Sequence, residues 1–308
     1  MNELLSSTVL TPVMEVIDVD AAVSIATSAL LVDLGLSQWA ARKTDKFASA
    51  AMIAANNAET GVAAVHKDLL AGCAELTAVH KMTSAIRVYH QAHTLPWGMN
   101  NLLPTKWYFD YHKDMTDMFA QWETKVDEFV AAYEWQVAQQ TVLANKLGDM
   151  FDPSEYPPAD TIRQKFHYRF GYMPVPTNDW RVQIGEEGTS QLTEQFNTYV
   201  QDNVHAMFQS VWKKLYAYLE RASERLDYVD NGDKKKFHDT LVSNVTDMFE
   251  VLDVCNVTGD SQMSAMKLKL EDAFYCVTPD ALRDDAYMRK ETKRKVDDII
   301  ASLPSLDI

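Results

Sequence analysis

Apolar residues recur at steps of three and four from Met115 to Leu147. This spacing places them along one stripe of an α-helix, and such a stripe is buried only against a partner element. The charged residues between them fall on the other sides of the helix. The pattern predicts one long amphipathic helix that starts near Lys106. Its stripe consists of Met115, Met118, Trp122, Val126, Phe129, Tyr133, Val137, Leu143 and Leu147.

A second stripe of the same kind precedes this one. It predicts a helix that runs to about Ala92, and the alanine-rich sequence from about Lys46 to Ala58 leads into it. Two long amphipathic helices joined by a turn bury their stripes against each other, so we expect an antiparallel hairpin. The second stripe consists of Val62, Val65, Leu69, Cys73, Leu76, Val79, Met82, Ile86 and Tyr89.

The connection between these helices, LPWGMNNLLPTKWYFDY, is rich in rigid and aromatic residues. Pro96 and Pro104 lack a backbone N–H and disfavour helical conformation in the residues before them, so the first helix is predicted to stop here. We interpret the segment as a packed corner that closes the end of the helical hairpin. Its structural residues are predicted to be Pro96, Trp97, Pro104, Trp107 and Tyr108.

Three short segments predict a small antiparallel β-sheet. Residues 29–37 alternate in part between apolar and polar, although their leucines and alanine also favour a helix. Residues 166–175 carry an aromatic side chain at every second position from Phe166 to Tyr172, which is the period of a strand. Residues 180–184 alternate again after a turn. Because an isolated two-stranded hairpin is marginal in water, we expect it to pair with 29–37 or to lie on the helices.

Helical patterns fill the rest of the chain. They run from Ser190 to about Asp227, from Phe237 to Leu252, from Ser261 to Tyr275 and from Pro279 to Leu303. Thr278 is the candidate cap of the last one, with Pro279 in its first turn.

The predicted fold class is therefore mainly α. We expect an elongated antiparallel bundle of long helices, with coiled-coil-like hairpins and the small β-sheet of residues 29–37, 166–175 and 180–184. The predicted organisation is a peripheral N-terminal segment (1–28), the hairpin bundle with its sheet (29–230) and a C-terminal helical region (231–308). The sequence leaves open whether 231–308 forms a separate unit.

The charge balance disfavours one large class of functions. The 308 residues include 44 acidic and 29 basic ones, a formal net charge of −15. Binding nucleic-acid phosphates requires clustered Lys and Arg, so a general nucleic-acid-binding protein is disfavoured. The three cysteines form no close pair and no CxxC motif, which argues against a disulfide framework. The start lacks the basic region of a secretory signal, and no uncharged apolar stretch approaches the length of a membrane span. We expect a soluble cytoplasmic protein.

The sequence contains no motif of a familiar active site. Phosphate-binding, zinc, acyl-transfer and calcium signatures are all missing, so no catalytic, cofactor-binding or metal-ligating residue is predicted. One metal-site alternative concerns His90 and His93, three residues apart, with His112 across the corner. We favour the simpler interpretation, in which these histidines are polar side chains at the ends of two helices. We predict a protein that is not an enzyme and that has no cofactor.

Carboxylates accumulate on the long helix after the corner. As a face, they would meet a basic partner or imitate the phosphate track of DNA, while the simpler interpretation is a solvated helix surface. The candidate interaction face consists of Asp114, Asp117, Glu123, Asp127, Glu128 and Glu134.

A family resemblance emerges from the order of these segments. LPWG, LLP and YFDY lead into a long helix, followed by LGDMF, SEYPPADTIRQKF, PVP and DWRV, and ALLVDLGLSQWAARKTD precedes them all. This order resembles an uncharacterised protein family of bacteriophages and prophages, over about half of the chain. The matching residues are Pro96, Trp97, Pro104, Tyr108, Gly148, Tyr156, Pro157, Pro174, Pro176 and Arg181.

The resemblance implies a setting and no chemistry. Members of that family are often encoded beside a MoxR-type AAA+ ATPase and a von Willebrand A-domain protein, and the family has no established activity. The leading hypothesis is therefore a phage-encoded, non-enzymatic protein that acts through protein contacts in the host cytoplasm, with the AAA+ ATPase or a host protein as partner. The alternatives are an acidic inhibitor that mimics nucleic acid on a host protein, and a component of the virion. A homo-oligomer is compatible with each of them.

Overall fold

The computed structural model of the chain describes residues 25–140, 146–180, 185–227 and 240–304. They are mostly helical with a small antiparallel sheet, as the sequence predicts. The elements are β1 (Ala29–Ser37), β2 (Arg42–Asp45), α1 (Lys46–Ala55), β3 (Val65–Asp68), α2 (Ala74–His93), β4 (Leu95–Trp97), β5 (Asn100–Pro104), α3 (Tyr108–Ala138), α4 (Ala159–Ile162), β6 (His167–Pro174), α5 (Gly185–Leu226), α6 (Thr240–Cys255), α7 (Ser261–Ala273), α8 (Pro279–Asp284) and α9 (Ala286–Ala301).

The described residues divide into two compact units that alternate along the sequence. The first unit takes those of Met1–Val32, Thr94–Tyr108 and Tyr172–Ile308, and the second takes Asp33–His93 and Phe109–Gly171. These boundaries lie at other places than the ones drawn from the sequence at residues 28 and 230. The predicted peripheral segment 1–28 falls almost entirely outside the described residues.

In the second unit, α2 and α3 pack as the predicted antiparallel hairpin. Side-chain hydrogen bonds join them along their length, and three of these bonds show the antiparallel order. They are Gln136 to Glu75 (2.8 Å), Trp122 to Thr83 (2.8 Å) and His90 with Tyr111 (2.7 Å). The buried side chains of α3 follow the predicted stripe in part, because Met115, Trp122, Val126, Phe129 and Tyr133 are all buried. Met118 is only half-buried, Leu143 lies outside the described residues, and α3 ends at Ala138, so that Leu147 lies in a turn beyond it.

The predicted N-terminal extension of α2 is wrong. The helix begins at Ala74, while Val65 lies in β3 and pairs with Asp45 of β2. Val62 lies in the loop before β3 and is 65% exposed. The alanine-rich segment instead forms the separate short helix α1, which ends where Asn57 takes a positive φ of 49°. The apolar residues Val62 and Val65 therefore continue the three-and-four spacing of the stripe without lying in a helix.

The predicted corner at 95–104 is a β-hairpin, so this interpretation is also wrong. β4 pairs with β5 around a two-residue turn of Gly98 and Met99. Gly98 has a φ of 58°, as the first turn position of a type II′ hairpin requires. Pro96 is tolerated because β4 is the edge strand of the four-stranded sheet, in the order β4-β5-β1-β6. Trp97 is only 1% exposed, so the segment does pack into a core as predicted.

The predicted strands 29–37 and 166–175 are confirmed as β1 and β6. β1 pairs with β5 in antiparallel register, with Leu31 opposite Leu102. The aromatic face of β6 lies on α3, where Tyr168 stacks on Phe119 with ring centroids 4.1 Å apart. In the third predicted strand, 180–184, Trp180 belongs to no strand and residues 181–184, including Arg181, lie outside the described residues.

The first unit contains the described helices from α5 to α9. α5 covers the predicted helix and places Val204, Met207, Val211 and Leu215 in the core. The start of the next predicted helix, at Phe237, lies outside the described residues. The tail helix predicted for Pro279–Leu303 is two helices, because Asp285 breaks it and caps α9 with its carboxylate. Thr278 caps α8 as predicted.

Candidate interaction surface

The histidines weighed as metal ligands are engaged in helix packing. His90 is 5% exposed and its Nδ1 lies 2.7 Å from the hydroxyl of Tyr111. The Nδ1 of His93 lies 2.9 Å from the backbone oxygen of Tyr89, and the two rings stack at 4.1 Å. The ring of His112 lies over Phe170. In the part of the chain that the structure describes, no three His, Cys, Asp or Glu side chains gather as a metal site.

A second polar cluster, at the start of α2, involves a cysteine. The Cys73 thiol donates to Glu75 at 3.4 Å, and Gln136 donates to the same carboxylate oxygen at 2.8 Å. Burial raises the pKa of Cys73 to about 11. The thiolate is the nucleophilic form of cysteine. Cys73 is therefore protonated at neutral pH and serves to pack α2 against α3.

The six carboxylates of the predicted acidic face lie on α3, on both sides of its buried stripe. At 100° per residue, Asp114, Asp117 and Glu128 follow one edge of the stripe, and Glu123, Asp127 and Glu134 follow the other.

Several of these carboxylates already have partners in the second unit. Asp114 accepts a hydrogen bond from Tyr89 at 2.8 Å, and Asp127 lies 3.3 Å from Arg163. Glu128 and Asp117 pair with lysines of the same helix. The carboxylates therefore form two partly neutralised rows, and a mimic of a single phosphate track has less support than their number suggests.

The predicted corner residues lie in the first unit and make packing contacts. Trp97 meets Tyr199 edge to face, and Tyr108 meets Tyr172 in the same way. Trp107 donates from Nε1 to Glu250 at 3.2 Å. Pro96 lies in β4 and Pro104 ends β5. Sheet pairing or side-chain packing therefore engages each of these residues.

Helix α1 presents an apolar face that no described residue covers. Phe47 is 90% exposed, and Ala50, Ala51, Ala54 and Ala55 are exposed as well. Ser49 is the buried residue of this helix. The side of the helix that faces β2 and β3 therefore makes its contact through a hydroxyl group. Large exposed apolar side chains are scattered singly on most proteins, whereas a continuous apolar helix face marks a contact site.

Both ends of α1 are capped, so the helix is firmly defined in spite of its exposure. The Asp45 carboxylate accepts the N–H of Ala48 at 2.8 Å. At the other end, the N–H groups of Asn57 and Ala58 bond to Ala54 and Ile53, while Asn57 takes the left-handed conformation. This pattern is a Schellman motif, which satisfies the last carbonyls of a helix.

A buried ionic network holds this helix to the rest of the second unit. Lys67 of β3 lies 2.8 Å from Glu155 and 3.4 Å from Asp45, the cap of α1. The same ammonium donates to the backbone oxygen of Met150 at 2.6 Å. The hydrogen bond and charge of Glu155 raise the pKa of Lys67, so the cation is retained. In Asp45, the Ala48 N–H and then Lys67 lower the pKa of the carboxyl.

No family model, no curated protein and no solved structure matches the chain. The bacteriophage family resemblance therefore stays a prediction. Among the described helices, none has an apolar run long enough to cross a bilayer.

Sequence reasoning missed the α1 face and the Lys67 network. Alanine is compatible with a buried and with an exposed helix face, so the segment from Lys46 to Ala58 carries no signal of its outward side. One available signal is the lack of charge from Phe47 to Ala58, which is unusual for a surface helix. The network joins residues too far apart in the sequence to be connected by pattern.

Proposed function

We propose that the chain is a phage-encoded, non-enzymatic protein that acts through protein–protein contacts in the host cytoplasm. The observation that carries the proposal is the apolar outer face of α1, which leaves Phe47 90% exposed. Exposing this face to water has a free-energy cost, of about 25 cal/mol for each Å² of apolar surface. A partner that covers the face recovers this free energy.

The construction around α1 further supports a binding role. Two helix caps and the buried cation Lys67 fix the backbone of the helix, so little conformational entropy is lost when a partner binds. The packing roles of two polar clusters are compatible with this proposal: His90 and His93 make contacts within the α2–α3 hairpin, and Cys73 is protonated at neutral pH.

The first partner to test is a MoxR-type AAA+ ATPase encoded beside members of the family that the chain resembles. A photo-crosslinking amino acid replaces Ala50 on the exposed face of α1, and Ala131, an exposed alanine of α3, is the matched control position. We expect a crosslink to the purified ATPase from position 50 and none from position 131. Equal crosslinking from both positions, or none from either to the ATPase or to any protein in infected cells, would contradict the proposal.

A further inference from the structure

The outer face of α1 differs between its two ends. Phe47 occupies the N-terminal end, and only alanine methyl groups, of Ala51, Ala54 and Ala55, occupy the middle and the C-terminal end. The Phe47 ring therefore projects from one end of the face. The small alanine side chains leave a flat surface about 11 Å further along the helix, at 1.5 Å per residue.

We propose that this face binds a second copy of the chain, with the two α1 helices antiparallel across a two-fold axis near Ala51. This inference rests on the proposed function, since both use the outer face of α1. It specifies the protein bound there as a second copy of the chain. In this arrangement Phe47 of each copy lies opposite Ala55 of the other, so each phenyl ring packs on the flat alanine surface of the other copy. Small side chains let two helix axes approach to about 8 Å. The contact is isologous, so every favourable pair occurs twice.

Charge complementarity favours the same arrangement. Lys43 and Lys46 are exposed at the N-terminal end of α1, and Glu59 is exposed just beyond its C-terminal end. Antiparallel pairing brings the basic end of each copy beside the acidic end of the other. The two helix dipoles also run in opposite directions, which places the positive end of one beside the negative end of the other.

The local charge of this region is compatible with contact between copies. Two chains of −15 each repel one another. Residues 42–68, however, carry four basic and three acidic residues, a net charge of +1. Copies that approach through this segment therefore meet less repulsion than the net charge of the whole chain implies. A lipid surface is a weaker candidate, because Phe47 is the one bulky side chain on the outer face and alanine methyl groups insert into a bilayer with little gain.

The size of the contact sets the expected strength. A pair of ten-residue helices buries less than the roughly 1,200 Å² of a standard interface, so the dimer is expected to be weak and to dissociate on dilution. Sedimentation of the full chain at concentrations from about 1 μM to about 200 μM measures this directly. Phe47→Asp is expected to leave only monomer, with an unchanged circular dichroism spectrum because Phe47 is 90% exposed. A monomer at every concentration in the wild type would overturn the proposal.

Cysteine crosslinking tests the geometry. In a Cys276→Ser background, which removes the exposed native thiol, Ala51→Cys lies at the two-fold axis and is expected to form a disulfide-linked dimer on oxidation. Ala131→Cys on α3 is the matched control and is expected to stay monomeric. Phe47→Cys and Ala55→Cys are expected to crosslink to each other faster than either does to itself. Equal rates for positions 51 and 131 would refute the antiparallel contact.

A charge exchange provides the second test. Lys46→Glu is expected to weaken the dimer roughly fivefold, because two exposed ion pairs of about 0.5 kcal/mol each are lost. Adding Glu59→Lys is expected to restore it. If neither substitution changes the affinity of the dimer, the dimer uses another surface and the proposal is refuted.

Two other results would also refute the proposal. One is Phe47-dependent binding of a monomer to anionic vesicles, and the other is a crosslink from position 50 to the ATPase alone. That last outcome leaves the proposed function intact, whereas a dimer without any other partner supports only the inference.

Discussion

The Nζ atom of Lys67 lies 2.8 Å from Oε2 of Glu155, and the side chains are 6% and 20% exposed. This ion pair connects β3 with the loop before α4. Since Asp45 is the third member of the network, the same cation also fixes the start of α1. The position of the candidate interaction surface therefore depends on one buried lysine.

Replacing Lys67 with methionine is expected to destabilise the protein by about 3 kcal/mol. Removing one member of a buried ionic network leaves the remaining charges without compensation, and here these are Asp45 and Glu155. Urea unfolding followed by circular dichroism measures the loss. Lys81→Met, at an exposed position of α2, is the matched control and is expected to change the stability by less than about 0.5 kcal/mol. Equal effects of the two substitutions would show that the network contributes nothing.

Asp45→Asn is expected to cost stability at pH 7 and progressively less at acid pH. Asparagine caps a helix as well as aspartate does, so the substitution removes mainly the charge beside Lys67. The pKa of Asp45 is lowered in the folded protein, first by the Ala48 N–H and then by Lys67. Its stabilisation is therefore complete above the unfolded pKa and is lost as the pH falls through the folded one.

The measurement for Asp45 is the difference in unfolding free energy between the wild type and the variant. We expect this difference to be constant near neutral pH and to shrink below about pH 4. All other carboxyl groups titrate in both proteins and cancel. A difference that grows on acidification has the opposite sign and would contradict the assignment.

Elements with a clear local sequence pattern are the ones that the sequence predicts correctly. The aromatic alternation from Phe166 to Tyr172 identified β6, because a side-chain period of two has few other causes. The stripe of α3 was equally clear over its described length. The β4–β5 hairpin was missed because Pro96 and Pro104 were interpreted as helix stops. Gly98-Met99, the two residues between Trp97 and Asn100, is the hairpin signal that the sequence interpretation overlooks.

Other features were beyond the reach of local pattern. Val62, Val65 and Leu69 fit the helical period, yet Val65 belongs to β3. The sequence does not reveal this strand, because four residues are too few to show a side-chain period of two. The network of Asp45, Lys67 and Glu155 forms only when three distant segments meet. The candidate acidic face was found on α3, but its division into two rows follows from which side of the helix is buried.

Gly98→Ala is expected to destabilise the protein by about 2 kcal/mol. The positive φ of 58° costs a residue with a Cβ about 1 kcal/mol, and the new methyl group meets the Tyr199 hydroxyl at 2.8 Å. Gly171→Ala is the matched control, since nothing lies within 4 Å of its added methyl group and its φ is not positive. Adding Tyr199→Phe to Gly98→Ala removes the close contact and is expected to recover about half of the loss. No recovery would assign the whole effect to the backbone.

Thr83→Val is expected to destabilise the α2–α3 hairpin by about 2 kcal/mol. The hydroxyl of Thr83 accepts the indole N–H of Trp122 at 2.8 Å, and both side chains are buried. Valine has nearly the same shape, so the indole N–H loses its partner without a cavity. Thermal unfolding of Thr83→Val, Trp122→Phe and the double variant forms a cycle that isolates the bond. Strict additivity of the two single effects would mean that the pair contributes no coupling energy.

One cysteine of the folded chain is expected to react rapidly with a thiol reagent near pH 8. Cys276 is exposed, whereas Cys73 and Cys255 are buried. Burial raises the pKa of Cys73 to about 11 and that of Cys255 to about 12. A raised pKa keeps a thiol protonated until the pH approaches that value. Cys73 and Cys255 should therefore each react at least roughly tenfold more slowly than Cys276. Titration with a chromogenic disulfide is expected to give one rapid equivalent in the native protein and three in denaturant. Cys276→Ser should abolish the rapid equivalent, and a rapid equivalent that persists would place a second thiolate at the surface.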